Sequence, residues 1–349
     1  MNTKATQNVF AHLAGQDDNL GDSALRIAYL DALRGSGRHL HVFIGTPTTD
    51  YGAGFPKAPD ITYYVHRAEW VNAEKASVRP VHAFNAGEIN PRPGIFPVPR
   101  RAAECARVLR SGGALIVSGI GVKDVGKLGQ VTFDAAFRSA SVFSWRDQGS
   151  RDAAGFGEFA PDWAYSLGAP VDEWTPRSAR NLLAVTMRFD RPWPGDAWLA
   201  DLKRLSATTG TKIVTLAQVA RDAPRAVRLA EAVGGEYIVP ASMRHDDLDV
   251  VARSIYSRSL AVVSDRAHGL IIGATEGAFP IGSGSDPQKI GRLLTAAGLG
   301  GLVGRYEELA EFTDRFSEHL DSLGPSISAA RADVAHLTRT IRAAMDAVA

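Results

Sequence analysis

Apolar positions along the chain alternate between short continuous runs and stripes at helical spacing. Residues 8–13 (NVFAHL) read as a first strand. In SALRIAYLDALR, Leu25, Ala28, Tyr29, Ala32 and Leu33 recur at helical spacing, and Asp22 or Ser23 suits the N-cap. HLHVFIG (39–45) reads as the next strand, whereas residues 46–100, rich in Gly, Pro and aromatics, give no clear assignment. A helix over 102–112 ends at glycine. A strand follows at 114–119, then a strand and loop at 140–147 and a helix near 148–157.

The stretch GAPVDEWTPRSARN (168–181) reads as a linker, and after it the alternation restarts. Strands are predicted at 182–189, 212–218, 236–242, 260–265 and 278–284. Helices are predicted at 196–210, 224–235, 245–259, 269–277 and 287–299. Two such runs predict an α/β protein with two Rossmann-like parallel-sheet domains, residues 1–170 and 181–305, and a helical tail over 306–349. In open α/β sheets ligands bind beyond the carboxyl ends of the strands. A cleft across which two such domains face each other is then the default site.

The balance of 39 Lys and Arg against 38 Asp and Glu gives a net charge of +1, which offers no support for nucleic-acid binding. One cysteine, Cys105, rules out an intrachain disulfide and a cysteine-cluster metal site. The histidines, His39, His41 and His82 among them, lack metal-ligand spacing. Neither a signal-peptide pattern nor a run of the ~18 apolar residues of a membrane span is present, so a cytoplasmic protein is expected.

Polar groups recur just after predicted strands. Asp265-Arg266-Ala267-His268-Gly269 lies at a strand-to-helix junction, where backbone N–H groups and the helix dipole favour an anion. Arg266 adds a fork of donors suited to carboxylate or phosphate, and His268 can move a proton near neutral pH. The plainer reading is a helix-capping histidine with an Arg266–Asp265 pair. Asn19, Gly21 and Asp22 follow the first strand, where they serve either as turn and cap or as site residues. Arg188 closes the strand before it, facing an anion or lying just past the sheet. Arg146 in SWRDQGS sits either in a cleft loop or on the surface beside an Asp147 N-cap. Arg100, Arg101, Arg107 and Arg110 gather near one helix, as a solvated face or as a contact for an acidic membrane or a phosphate-bearing acceptor. GGALIVSGIG (112–121) lacks the order of a dinucleotide fingerprint.

Taken in order, DDNLGDSAL, SWRDQGS, FAPDWAYSLG, TMRF, SDRAHGLIIGATEGAFPIG and SDPQKIGRLLTAAGL resemble segments of the polysaccharide pyruvyl transferase family, across roughly residues 8 to 300. Ala267 departs from the family's bulky apolar residue, Gln288 is inserted before Lys289, and Ala-Phe-Pro replaces Gly-x-Pro. The resemblance implies a GT-B-like fold, with the acceptor on the N-terminal side and phosphoenolpyruvate on the C-terminal side. It implies transfer of the enolpyruvyl group onto two hydroxyls of a sugar in a polysaccharide or glycolipid precursor, giving a cyclic ketal. Arg188, Arg266, His268 and Lys289 would hold phosphoenolpyruvate. His268 would act as acid and Asp22 as base, with Asn19, Gly21 and Arg146 toward the acceptor or cleft. Phosphoenolpyruvate is a co-substrate, and no other cofactor and no metal is expected. A lipid-linked acceptor would allow peripheral contact with the inner face of the membrane. A nucleotide-sugar glycosyltransferase of the same architecture is the alternative.

Overall fold

The computed structural model describes residues 6–16, 19–45 and 51–349. The chain divides into two compact units. One comprises Met1–Asp17, Asp22–Trp163 and Asp333–Ala349, the other Asp18–Gly21 and Ala164–Ala332. The change between them thus falls at residue 163 rather than 170. The tail beyond 306 is not a body of its own, because its first part counts with the second unit and its last part with the first.

The first unit carries strands β1 (Gln7–His12), β2 (Arg38–Phe43), β3 (Ile61–Tyr64), β4 (Val81–Ala83), β5 (Gly87–Ile89), β6 (Gly94–Phe96), β7 (Ala114–Val122), β8 (Val131–Phe133), β9 (Val142–Trp145) and β10 (Glu158–Phe159). Its helices are α1 (Leu20–Leu33), α2 (Arg67–Ala76), α3 (Pro99–Arg110), α4 (Ala135–Arg138) and α5 (Gln148–Ala154). Eight strands form a parallel sheet in the order β10-β9-β7-β4-β1-β2-β3, with β5 added against β7, and β6 pairs with β8 separately. Every residue of β7 (ALIVSGIGV) is buried, as expected of a strand covered on both faces. Phe137, Phe143 and Trp145 pack with Cys105, Leu115 and Val117 beside it. The stretch 46–100, unassigned from sequence, supplies α2 and four strands of three or four residues each.

The second unit carries β11 (Leu182–Thr186), β12 (Lys212–Thr215), β13 (Glu236–Tyr237), β14 (Ser259–Ser264), β15 (Phe279–Ser283) and β16 (Val303–Gly304). Its helices are α6 (Gly195–Thr209), α7 (Ala223–Val233), α8 (His245–Tyr256), α9 (Ala267–Thr275), α10 (Gln288–Thr295) and α11 (Leu309–His319), and α12 (Leu323–Asp346) begins there. The sheet is wholly parallel in the order β13-β12-β11-β14-β15-β16. Counted within the unit this is 3-2-1-4-5-6, the doubly wound order, and its reversal point lies between β11 and β14.

Helix α9 (AHGLIIGAT) is buried along its whole length. A helix with no polar face belongs inside, and here it packs on β14 and β15. Glycine permits the close approach: a Cβ on Gly273 would lie 2.5 Å from Val262 Cγ1 in β14. Replacing Gly273 by Ala is expected to lower unfolding stability by about 1–3 kcal/mol through overpacking, despite the better helix propensity of alanine. Urea denaturation checks this; a variant as stable as wild type or more so would show that β14 yields at no cost.

Candidate functional site

Three loops of the second unit leave their strands at the reversal point, and side chains knit them together. Ser264, the last residue of β14, donates its hydroxyl to the Thr186 carbonyl at the end of β11 and accepts the Arg266 backbone N–H at 2.8 Å. Arg266 is the N-cap residue of α9, and its carbonyl accepts the Leu270 N–H at 3.1 Å. The helix therefore starts at Ala267, two residues earlier than the pattern suggests, and His268 lies in its first turn. Arg266 and His268 are each 9% exposed.

The Arg266 guanidinium is gripped by Asp222, from the loop after β12. Its Nη2 donates to Oδ1 at 2.7 Å and its Nε to Oδ2. Asp222 is fully buried, and its Oδ1 also accepts the Phe189 N–H at 2.9 Å. Asp265 Oδ1 accepts the preceding N–H, that of Arg188, at 2.7 Å. Two carboxyl groups from the exits of different strands thus hold consecutive peptide N–H groups of the β11 exit. Arg188 is one-third exposed and forks onto Asp190 at 2.9 and 2.7 Å. This pairing raises the arginine above its ordinary value and draws Asp190 down to about 2. The plainer sequence reading paired Arg266 with Asp265; the partner is Asp222, 44 residues away.

The remaining expected groups surround this cluster or stand apart from it. Lys289 is half-buried in the first turn of α10, after β15, the neighbour of β14. In the loop between them, a Cβ on Gly284 would lie 3.1 Å from Asp265 Cβ. Gly21 counts with the second unit, and a Cβ there would fall 2.4 Å from His268 Cβ and Nδ1. Glycine at 21 is thus what lets this segment close onto the imidazole. Asn19 Oδ1 accepts the Gly21 N–H at 3.1 Å, so Asn19 caps α1 and neither Asp22 nor Ser23 does. Asp17 and Asp18 lie outside the described residues.

Asp22 lies within α1, in the first unit. Its Oδ2 accepts the Gln16 N–H at 2.8 Å and its Oδ1 is 3.6 Å from Arg26. Arg26 was not singled out from sequence, yet it organises the carboxyl ends of β1 and β4. It donates to the Asp22 carbonyl at 2.8 Å, to Asn85 Oδ1 at 3.2 Å and to the Ala86 carbonyl at 3.1 Å. Arg146 is 1% exposed and pairs with Asp162 at 3.0 Å, while Asp147 caps α5. It is an interior arginine of the first unit rather than a cleft or surface one, because the buried Asp162 carboxylate needs its charge. The arginines of α3 are also partly spent internally. Arg107 meets the buried Glu74, and Arg101 donates to His12 Nε2 at 2.8 Å, while Arg100 is exposed. Among the described residues no three His, Cys, Asp or Glu side chains gather as metal ligands would.

Asp222 was not singled out from sequence. It follows a strand, as Arg188 does, but the strand expected over 212–218 stops at Thr215 and its exit loop runs on to Asp222. Gln218 and Arg221 lie in the same loop. Gln218 donates to the Tyr256 hydroxyl at 3.0 Å, and Arg221 stacks 4.8 Å over the Phe189 ring.

Burial raises the Asp265 carboxyl to about 6, against the opposing pull of the Arg188 N–H and of the Arg266 and Arg188 charges. Its Oδ2 is buried and accepts no hydrogen bond among the described residues. The folded protein therefore holds this proton more tightly than the unfolded chain does. The stability that proton binding confers is full below about pH 4 and is lost as pH rises through about 6. Asp265→Asn removes this dependence. The melting temperature of the variant relative to wild type is expected to rise between about pH 4 and pH 7; a constant difference would contradict the assignment.

The model of the polysaccharide pyruvyl transferase family matches residues 19–278. No curated protein matches the chain in sequence. Solved structures match over nearly its whole length at low identity. Trehalose 6-phosphate synthase from Burkholderia multivorans has a TM-score of 0.55 and 10% identity, covering 99% of this chain and 97% of that one. A putative UDP-N-acetylglucosamine 2-epimerase from Listeria monocytogenes has a TM-score of 0.54 and 12% identity, covering 98% and 96%. Anabaena HepE in complex with UDP has a TM-score of 0.53 and 11% identity, covering 98% and 100%. These likenesses speak to fold alone, and they bear out the GT-B-like, two-sheet α/β class. The family match takes in the β1–α1 segment from Asn19, the SWRD loop and the Asp265–His268 junction, and the chain belongs to the polysaccharide pyruvyl transferase family.

Proposed function

We propose that the chain transfers the enolpyruvyl group of phosphoenolpyruvate onto two hydroxyls of one sugar, forming a cyclic pyruvate ketal and releasing phosphate. The observation that carries this reading is the cluster at the β11–β14 reversal point, where Arg188, Arg266 and His268 converge on strand ends within the family-matched region. Phosphoenolpyruvate is a small trianion, and preorganised donors suit it better than mobile ones. The fork on Asp222 uses Nε and one N–H of Nη2, which leaves the terminal edge of Arg266 for a carboxylate or phosphate. Lys289 supplies a further cation, and the first turn of α9 supplies the positive end of a helix dipole.

In this reading His268 delivers a proton to the methylene carbon, which becomes a methyl group and leaves C2 electrophilic. One sugar oxygen bonds to C2 and loses its proton to a base, for which Asp22 is the candidate. The C2–O bond to phosphorus then breaks, the second sugar oxygen closes the ketal, and its proton leaves with phosphate. Asn19 and Gly21 hold the segment that abuts His268. No helix among the described residues is long and apolar enough to cross a membrane. A lipid-linked acceptor would bring the enzyme to a membrane surface, for which exposed Arg100 beside exposed Ile95 and Val98 is suited.

Calorimetric titration and a phosphate-release assay with acceptor test this. Wild type is expected to bind phosphoenolpyruvate. His268→Ala should lose about 10²–10⁴ in kcat, the usual contribution of a general acid. Arg266→Ala should weaken donor binding. Binding of nucleotide sugars but not of phosphoenolpyruvate would replace this reading with a glycosyltransferase.

A further inference from the structure

Asp222 lies outside both strands that lead to the proposed donor groups, yet it holds both of their loops. Its two oxygens take the Nε and Nη2 of Arg266 after β14, and Oδ1 also takes the Phe189 N–H after β11, next to Arg188. It is fully buried, at the end of a short 3-10 turn that leads into α7. A buried aspartate bound this way does not reach solvent and is out of reach of a substrate. Its geometry instead fixes which edge of the Arg266 guanidinium is offered outward, because a planar fork held on one side can present only the other. The Phe189 bond fixes the peptide that follows Arg188, whose own N–H is held by Asp265.

We infer that Asp222 is a positioning residue for donor recognition: one buried carboxylate from the β12 loop aims the Arg266 fork and sets the Arg188 loop, so that the two arginines meet a phosphoenolpyruvate anion as one prearranged unit. This rests on the donor reading above. It also explains how two arginines that already carry carboxylate partners can serve an anion. Asp222 limits Arg266 as a free charge and gives it a direction, which selects for ligands whose oxygens match the terminal edge.

The test uses the full chain and phosphoenolpyruvate as probe in calorimetric titrations. Asp222→Asn keeps an oxygen for the Phe189 N–H but turns an amide toward Arg266. It is expected to weaken phosphoenolpyruvate binding about 10–100-fold, the range usual for outer-shell partners of ligating groups. The loss should appear in KM for the donor, with kcat at saturation little changed. In Asp222→Asn/Arg266→Ala the effects should not add: the double variant should bind no more weakly than Arg266→Ala alone, since Asp222 acts through Arg266. A purely structural role would give additive losses or a fall in kcat, and either overturns the inference. So does unchanged affinity in Asp222→Asn. If Asp222→Asn does not fold, Asp222→Glu takes its place. It keeps the charge and displaces the fork, so weakened binding supports the inference and wild-type affinity overturns it. Absence of phosphoenolpyruvate binding in wild type is a separate result, because it removes the donor reading itself.

Discussion

The organisation of this chain turns on one constraint: at the reversal point of the second sheet, neighbouring parallel strands β11 and β14 end side by side with their following helices wound to opposite faces. The backbone groups at those ends have no further strand to pair with, so side chains must satisfy them. Ser264 ties the end of β14 to Thr186, Asp265 takes the Arg188 N–H, and Asp222 takes the Phe189 N–H. The carboxylates that do this are buried, and buried carboxylates require cations or protons. Asp222 is matched by Arg266, while Asp265 is pushed toward its protonated form. The charge pattern of the candidate site follows from the need to close the ends of a sheet.

The first sheet meets the same need with different residues. Arg26 bridges the exits of β1 and β4 through Asn85 and the Ala86 carbonyl, and Asn85 donates to the Ala14 carbonyl at 2.6 Å. Each unit therefore carries a buried arginine at its reversal point. In the second unit the arginine is forked by a carboxylate through its Nε and Nη2. In the first its donors go mainly to carbonyl oxygens, which leaves it a structural clasp under Asp22.

Much of the fold was legible because its strands are buried on both faces and read as unbroken apolar runs. LLAVT, SLAVVS and FPIGS stand out between helices whose stripes differ in period. The stretch 46–100 was not legible because β4, β5 and β6 have three residues each, too few to show a period, and sit among Gly and Pro. The candidate loops were legible as well, since polar residues after a strand are conspicuous. The pairings within them were not. Asp222 lies 44 residues from Arg266, and nothing local distinguishes it from a helix-leading aspartate. Arg146 misled for the same reason, because its partner Asp162 is brought beside it only when β10 pairs with β9. Asn19 and Asp22 both suit a cap, and only the backbone shows that α1 begins at Leu20.

The central claim is that a compact anion is recognised at the ends of β11 and β14 by groups already fixed there. A crystal structure of the protein soaked with phosphoenolpyruvate addresses it most directly. The account predicts density for the ligand against the terminal edge of Arg266, beside Arg188 and His268, with the Asp222 fork still in place. Density for phosphoenolpyruvate elsewhere on the protein, or a bound state in which Arg266 has left Asp222, would contradict it.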